Sequence, residues 1–147
     1  MKGYKIGFSE IADGKDLTVA LITLEIPESY PGIKLIGSSH GCRSNVARVL
    51  SIRRIDLYGK LGESSFTVML SSDKLDSAFS IYDKNFSYHP GEIVFPDKFD
   101  TNYNKICTNG IHFYLCKSRA INYVLDDWVQ TKYKMCLHWL RRGVLRS

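Results

Sequence analysis

The stretch Cys107-Thr-Asn-Gly-Ile-His-Phe-Tyr-Leu-Cys-Lys-Ser-Arg-Ala-Ile-Asn-Tyr123 decides the fold of this chain. Asn109-Gly110 is a dipeptide typical of tight turns, and the residues after it, Ile111–Leu115, predict a short buried strand. Ser118 is a residue type that favours helix N-caps, so we expect a helix to begin there. The stretch therefore predicts a turn, a strand and a helix that close a core of mixed α and β structure.

His112 is the most prominent polar side chain in this stretch. In an extended strand it shares one face with Tyr114 and Cys116. At about 3.3 Å per residue, His112 and Cys116 lie roughly 13 Å apart, which is too far for both to bind one metal ion. We expect no metal site. His112 is then either a half-buried structural histidine or a ligand-binding histidine in a cleft.

The composition is that of a folded domain. The chain has 147 residues, of which 44% are hydrophobic and 12% aromatic, enough for one domain with its own core. No apolar run approaches the roughly 20 residues that cross a bilayer, and the N-terminal residues lack the apolar segment of a signal peptide. We expect an intracellular protein that is not secreted.

The four cysteines are widely spaced and form no Cys-x-x-Cys pair; they are Cys42, Cys107, Cys116 and Cys136. In a reducing compartment such residues are free thiols by default. Cys42 lies in a polar segment beside Arg43 and could act as a nucleophile with His40 or His112 as its base.

The positive charge is concentrated in the C-terminal segment. Residues 1–116 contain 13 Lys and Arg and 13 Asp and Glu, so the whole net charge of +5 comes from residues 117–147. A neutral body with a basic end does not indicate a nucleic-acid-binding domain.

Alternation of apolar residues predicts several short strands. The clearest is Leu17–Ile26, whose two faces both carry apolar side chains. Val46–Ile55 has apolar residues at both helical and strand spacing, and its β-branched residues favour a strand. Residues 37–45 are predicted to be a polar loop. Phe86–Tyr88 and Ile93–Phe95 are predicted to be two strands on either side of a Pro-Gly turn.

The C-terminal segment, residues 124–147, predicts a basic amphipathic helix that stops at Gly143, or two helices with a break near Gln130. Its predicted apolar stripe includes Trp128 and Trp139. The fold class is therefore α+β: a single domain with a mostly antiparallel, twisted sheet of short strands and a C-terminal helix, or two, packed on it. We interpret residues 57–77 as an insertion in a core formed by residues 1–123.

Several segments together resemble an uncharacterised domain family of phages, giant viruses and bacteria that often occurs beside pentapeptide repeats. The resemblance rests on Gly3-Tyr-Lys5, Leu21–Pro27, Cys42-Arg43 with Ala47–Ile52, Ser80–Tyr88, Gly91–Asp100 and Cys107–Tyr123. It implies a viral context, in the host cytoplasm or the virion, but no reaction.

A second resemblance, carried by two parts of the chain, is to poly-ADP-ribosyl transferases. Gly110-Ile-His-Phe-Tyr followed by Lys117–Tyr123 resembles a strand and helix of those enzymes, and Ser39–Arg43 looks like their nicotinamide-binding His-Gly-Ser strand end. This resemblance implies that His40 holds the ribose of NAD, that His112 replaces a stacking Tyr, and that Val46–Ile55 is a helix.

We therefore expect a viral or phage-derived, non-catalytic binding or interaction module that needs no cofactor. Its partner would be a protein or a second copy of the chain, with a small nucleotide as a further ligand. The alternative is a transferase-like domain that binds NAD or ADP-ribose. The candidate ligand-binding residues are His40, Cys42, Arg43, His112, Tyr114 and Tyr123, and the candidate partner contacts are Trp139, Arg141, Arg142 and Arg146.

Overall fold

The computed structural model describes residues 1–11, 14, 16–29, 35–38, 41–58, 67–102 and 109–143. Most of the regular structure is antiparallel sheet, and the helices follow at the C-terminal end, as predicted for an α+β domain. A 3-10 turn, Tyr123–Leu125, joins the two helices. The elements are β1 Lys2–Ile11, β2 Asp16–Glu25, β3 Leu35–Ser38, β4 Gly41–Ser44, β5 Ala47–Tyr58, β6 Thr67–Lys74, β7 Ala78–Ser80, β8 Ser87–Tyr88, β9 Ile93–Val94, β10 Ile111–Phe113, α1 Lys117–Asn122 and α2 Asp127–Arg141.

A large antiparallel sheet forms the centre of the domain, with the strand order β6-β5-β2-β1-β7-β8 and β9 beside β5. The β1–β2 hairpin is in register from the Lys2–Glu25 pair to the Ile11–Asp16 pair. The predicted strand over Leu17–Ile26 is confirmed as β2, at the middle of this sheet. Both of its faces are buried, which explains why apolar residues occupy nearly every position.

A small sheet with the order β10-β4-β3 lies against one face of the large sheet. The two sheets are joined where Tyr114, just after β10, exchanges two backbone hydrogen bonds with Tyr4 of β1, at 2.7 and 2.8 Å. The prediction of a loop over residues 37–45 is therefore wrong in part, because Gly37 and Ser38 belong to β3 and residues 41–44 form β4. Cross-strand pairing overrides the polar composition of this segment.

The domain has three layers, because each face of the large sheet has its own buried apolar cluster. On one face Ile22 and Leu24 of β2 pack with Ile111 and Phe113 of the small sheet. On the other face, residues of β1, β2 and β5 pack against the helices; they include Phe8, Leu21, Ile55, Val129 and Leu140.

The segment Val46–Ile55 is a strand, β5, between β2 and β6. The register between β5 and β2 shifts between Thr23 and Leu24, where Leu50 is the extra residue. This bulge places Val49 and Ile52, three residues apart, in the same apolar cluster. The bulge therefore explains why buried residues of this strand have a spacing that is also typical of a helix. The transferase resemblance implied that Val46–Ile55 is a helix, and this prediction is wrong.

The helical region is divided earlier than predicted. The 3-10 turn ends at Asp126, whose side chain accepts a hydrogen bond from the Trp128 backbone N–H at 2.9 Å and caps α2. The prediction of a break near Gln130 is therefore wrong. The prediction that Ser118 caps α1 is also wrong, because this helix begins at Lys117 and its N-cap is Cys116. Gly143, with φ of +78°, follows the end of α2 as predicted.

Only one side of α2 is buried, and it is narrower than the predicted stripe. Val129, Cys136 and Leu140 face the sheet, and the Tyr133 hydroxyl donates to the Leu17 carbonyl at 2.6 Å. Trp128 and Trp139 are exposed. In the part of the chain that the structure describes, neither helix has the length and hydropathy needed to span a membrane.

Candidate functional site

A cleft lies where two chain segments leave the same edge of β1. On that edge β7 pairs only with Gly7 and Phe8, and the backbone next to β10 pairs with Tyr4. The chain segments diverge between these points, beside Lys5 and Ile6. Diverging neighbours cannot cover this part of β1, so the topology itself opens a cleft here.

The cleft consists of two adjoining cavities. The larger has a volume of about 560 Å³ and lies between the β7–β8 hairpin, residues 96–98 and the start of β10. The smaller has a volume of about 150 Å³ and lies between β1, β4 and the helical region. Lys5, Tyr82 and His112 line both cavities. These three residues therefore form the boundary that a ligand in either cavity would contact.

Aromatic rings form much of the cleft wall. The hydroxyl groups of Tyr82 and Tyr123 form a hydrogen bond, with 3.0 Å between the oxygens. Tyr123 packs edge-on against Tyr114, with 6.0 Å between the ring centroids. Burial and the hydrogen bond with Tyr82 raise the pKa of Tyr123 above its ordinary value, so its hydroxyl stays protonated. On the outside, Tyr82 stacks on Trp128 at 5.0 Å. This part of the wall is thus aromatic, with tyrosine hydroxyl groups at its rim.

Four of the predicted ligand residues meet at the smaller cavity, namely Cys42, His112, Tyr114 and Tyr123. The side chains of Cys42 and His112 nevertheless lie on opposite faces of the small sheet. Cys42 is directly opposite Phe113, and His112 is directly opposite Arg43. Directly opposed residues share a face and neighbouring residues alternate. The alternative in which Cys42 acts as a nucleophile would need an accessible thiolate, whereas Cys42 is buried in the core with Phe113.

Arg43 was predicted to bind a ligand, and its guanidinium is instead fully buried, at 0% exposure. Its Nη1 atom donates to the carbonyls of Asp100 and, at 3.0 Å, of Asn109, and Nη2 donates to the carbonyl of Asn102 at 2.8 Å. The ring of Phe99 lies 4.8 Å from its Cζ atom. Arg43 thus attaches the segment before β10 to the outer face of the small sheet.

Gly110 permits this arrangement. Its φ of +151° is one that residues with a side chain rarely adopt, and a Cβ atom there would lie 3.2 Å from both the Arg43 Cβ atom and the Phe99 ring. The predicted turn at Asn109-Gly110 therefore also serves to bring the chain close to Arg43.

The remaining predicted residues are His40, Trp139, Arg141, Arg142 and Arg146. His40 and Arg146 are outside the described residues. Arg141 and Arg142 are exposed at the end of α2, and the Trp139 side chain is 37% exposed. Within the described ranges, no three His, Cys, Asp or Glu side chains are grouped to hold a metal ion.

Sequence reasoning missed the cleft residue Tyr82, and it also missed Lys5. Lys5 occupies a buried position in β1 between two glycines, Gly3 and Gly7, on the same face. A Cβ atom at Gly3 would lie 2.4 Å from the Phe113 ring, and one at Gly7 would lie 2.7 Å from the Phe79 carbonyl oxygen. The spacing Gly-x-Lys-x-Gly, with the apolar residues Ile6 and Phe8 close by, is the signal that could have identified Lys5.

Cys116 is the exposed thiol of the described chain, whereas Cys42 and Cys136 are buried. Its Sγ atom lies 2.9 Å from the Ser118 Oγ atom. This hydrogen bond, with help from the backbone amides of Arg119 and Ser118, lowers the pKa of the Cys116 thiol. Burial raises the pKa of the Cys136 thiol. The two thiols should therefore differ strongly in reactivity.

We predict that Arg43→Met lowers the free energy of unfolding by about 3 kcal/mol or more, because it leaves several backbone carbonyls without their charged donor. Arg48→Met is the matched control, since Arg48 is an exposed arginine on the neighbouring strand β5, and it should change stability by about 0.5 kcal/mol or less. Urea unfolding measures both. Equal losses in the two variants would contradict the anchoring role of Arg43.

We predict that iodoacetamide modifies Cys116 before Cys42 and Cys136, as measured by peptide mass spectrometry at short times. The lowered pKa increases the thiolate fraction near neutral pH, so the Cys116 rate should fall as the pH decreases through that pKa. Ser118→Ala removes a donor to the thiolate and should slow the reaction at neutral pH but not in strong base. An unchanged rate at neutral pH would show that Ser118 does not stabilise the thiolate.

Comparison with known proteins identifies the family of this chain. No curated protein and no solved structure matches the chain significantly. A family of unknown function, DUF5758, matches residues 1–120. The match contains all ten described strands and the cleft residues Lys5, Tyr82 and His112, and it ends within α1. This chain therefore belongs to the family of unknown function DUF5758.

Proposed function

We propose that the protein is a non-catalytic binding module whose ligand site is the cleft beside Lys5, Tyr82 and His112. The observation that carries the proposal is that these three residues line both cavities at the one place where the neighbours of β1 diverge. A ligand seated there would contact β1, the β7–β8 hairpin and β10 together.

The size and lining of the cleft support a small ligand. A volume of about 560 Å³ falls within the range of small-molecule sites. Tyr82, Phe86 and Tyr88 supply apolar surface, and Lys5 and His112 supply polar groups that can fix an orientation. Such a combination of rings with a few polar groups is typical of sites that bind small molecules.

The arrangement of the polar groups favours binding without chemistry. A thiol nucleophile needs a base within hydrogen-bond distance, and the strand register directs the side chains of Cys42 and His112 to opposite faces. The transferase resemblance required a helix where the chain has β5, so NAD and ADP-ribose enter the set of ligands only as tests of that alternative.

We predict that Tyr82→Ala weakens the binding of any cleft ligand about tenfold, because it removes a ring from the wall shared by both cavities. The matched control is Tyr58→Ala. Tyr58 is 56% exposed and Tyr82 is 58% exposed, but Tyr58 lies at the end of β5, away from the cleft. Thermal-shift screening with NAD, ADP-ribose, cyclic nucleotides, oligonucleotides and small aromatic fragments would find ligands, and calorimetry would measure the affinities.

Backbone amide NMR then locates the binding. Shifts at residues 80–88 and 109–114 are expected in the wild type. Shifts confined to α2, or equal loss of affinity in the Tyr58 and Tyr82 variants, would contradict the cleft as the ligand site.

One flank of α2, beside residues 79–84, is a second candidate site, for a protein partner. Trp128, Lys132, Met135, Trp139 and Arg142 are spaced by four, three, four and three residues and so form one stripe on the helix. Their side chains are exposed or half-buried, and both tryptophans are among the exposed ones. A mixed aromatic and basic stripe has the composition of a protein interface. Self-association through it, in a phage- or virus-derived assembly in the host cytoplasm or the virion, is the function this surface would serve.

We predict that the protein self-associates in sedimentation experiments and that Trp139→Ser weakens the association about tenfold. The control is Leu115→Ser, since Leu115 is 56% exposed but lies just after β10. A wild-type protein that stays monomeric at all concentrations, or a larger effect of the control, would exclude α2 as a self-association surface.

A further inference from the structure

Lys5 is a buried cation in the middle of a sheet. Its side chain is 9% exposed and lies on the face of β1 that the small sheet covers, directly opposite Ile22 of β2. A lysine is rarely buried to this extent unless its charge is paired, because removing the ammonium group from water is costly. Its position therefore requires an explanation in terms of its partners.

The hydrogen bond that the structure gives Lys5 is to a neutral group. Its Nζ atom donates to the Tyr88 hydroxyl at 2.6 Å, and the Tyr88 side chain is itself buried. An ammonium group has three N–H donors. Among the described residues, no carboxylate lies within 4 Å of the Nζ atom. The buried positive charge is thus without a described counter-charge.

This charge is placed at the cleft. Lys5 lines both cavities, so its ammonium group lies where a bound molecule would pass from one to the other. Asp83 and Asp97 line the larger cavity but do not reach Lys5, and Lys98 adds a second positive charge there. Tyr82 and Phe86 supply flat apolar surface close by. The surroundings combine a desolvated cation with aromatic walls.

We propose that the cleft binds a small planar organic anion, and that the ammonium group of Lys5 is the counter-charge for its carboxylate or phosphate. The proposal rests on the binding function proposed above and names the ligand class of the same site. A charge-assisted hydrogen bond in a partly desolvated site is stronger than one in water. The planar part of the ligand lies against the aromatic wall, and the anionic group meets Lys5.

The test compares anions with neutral molecules of the same shape. Benzoate is compared with benzamide, and adenosine monophosphate with adenosine, by calorimetry and amide NMR on the full chain. The wild type should bind at least one anion about tenfold or more tightly than its neutral counterpart, with shifts at Lys5 and at residues 80–88. The first pair tests a carboxylate as the anionic group and the second tests a phosphate.

Lys5→Met then identifies the cation. Methionine keeps the length of the stem and removes the charge, and replacing a buried charge by an apolar group is often neutral or stabilising. The variant should fold with a midpoint of unfolding equal to or above that of the wild type, and the preference for the anion should disappear. Lys2→Met, at the exposed start of the same strand, should keep the preference.

The outcomes separate this inference from the proposed function. If anionic and neutral probes bind equally and both depend on Tyr82, the cleft is a ligand site but the anion is excluded. If the preference for the anion survives Lys5→Met, or if that variant unfolds while the wild type shows no preference, Lys5 is structural and the inference is overturned. If no probe binds in the cleft at millimolar concentration, both proposals fail.

Discussion

The buried guanidinium of Arg43 is the interaction on which the cleft depends. It binds three carbonyls of the segment that precedes β10, those of Asp100, Asn102 and Asn109. Carbonyls in a segment without strand or helix pairing need donors, and a planar guanidinium can supply several at once. One side chain from β4 thus binds the carbonyls of residues 100, 102 and 109 and holds these residues on the outer face of the small sheet. Residues 96–98 and 109–112 are walls of the larger cavity.

Arg43 and Lys5 are both buried cations, but they differ in their partners. This difference suggests a structural role for Arg43 and a ligand-binding role for Lys5. The partners of Arg43 are fixed backbone groups, which are present whether or not a ligand binds. The described partner of Lys5 is a single phenol, and the rest of its surroundings is the cleft. Since a buried charge without a counter-charge weakens folding, the anion that we propose for the cleft would account for the position of Lys5. The sequence made Arg43 a ligand candidate because it follows His40 and Cys42, and it gave no such role to Lys5, whereas Lys5 is the cation that lines both cavities of the cleft.

The sequence predicted the fold class and most of the sheet because the alternation in β2 and the apolar strand of β10 are local patterns. It was ambiguous for β5, since a bulge at Leu50 changes the period of the buried residues from two to three. It predicted a loop for β4, because a strand whose central arginine is buried looks like a polar segment. The burial of Arg43 depends on carbonyls more than 50 residues away along the chain, and no local pattern could indicate it.

The site was only partly predictable for the same reason. His112, Tyr114 and Tyr123 were identified from one continuous stretch, and all three line the smaller cavity. Lys5 and Tyr82 come from distant parts of the chain and meet them only because β7 and β10 share one edge of β1. Gly3 and Gly7 make that meeting sterically feasible, since a side chain at either would strike Phe113 or the β7 backbone. The glycines on both sides of Lys5 allow the chain to pack closely around it, so the same feature that buries the lysine also shapes the cleft that it faces.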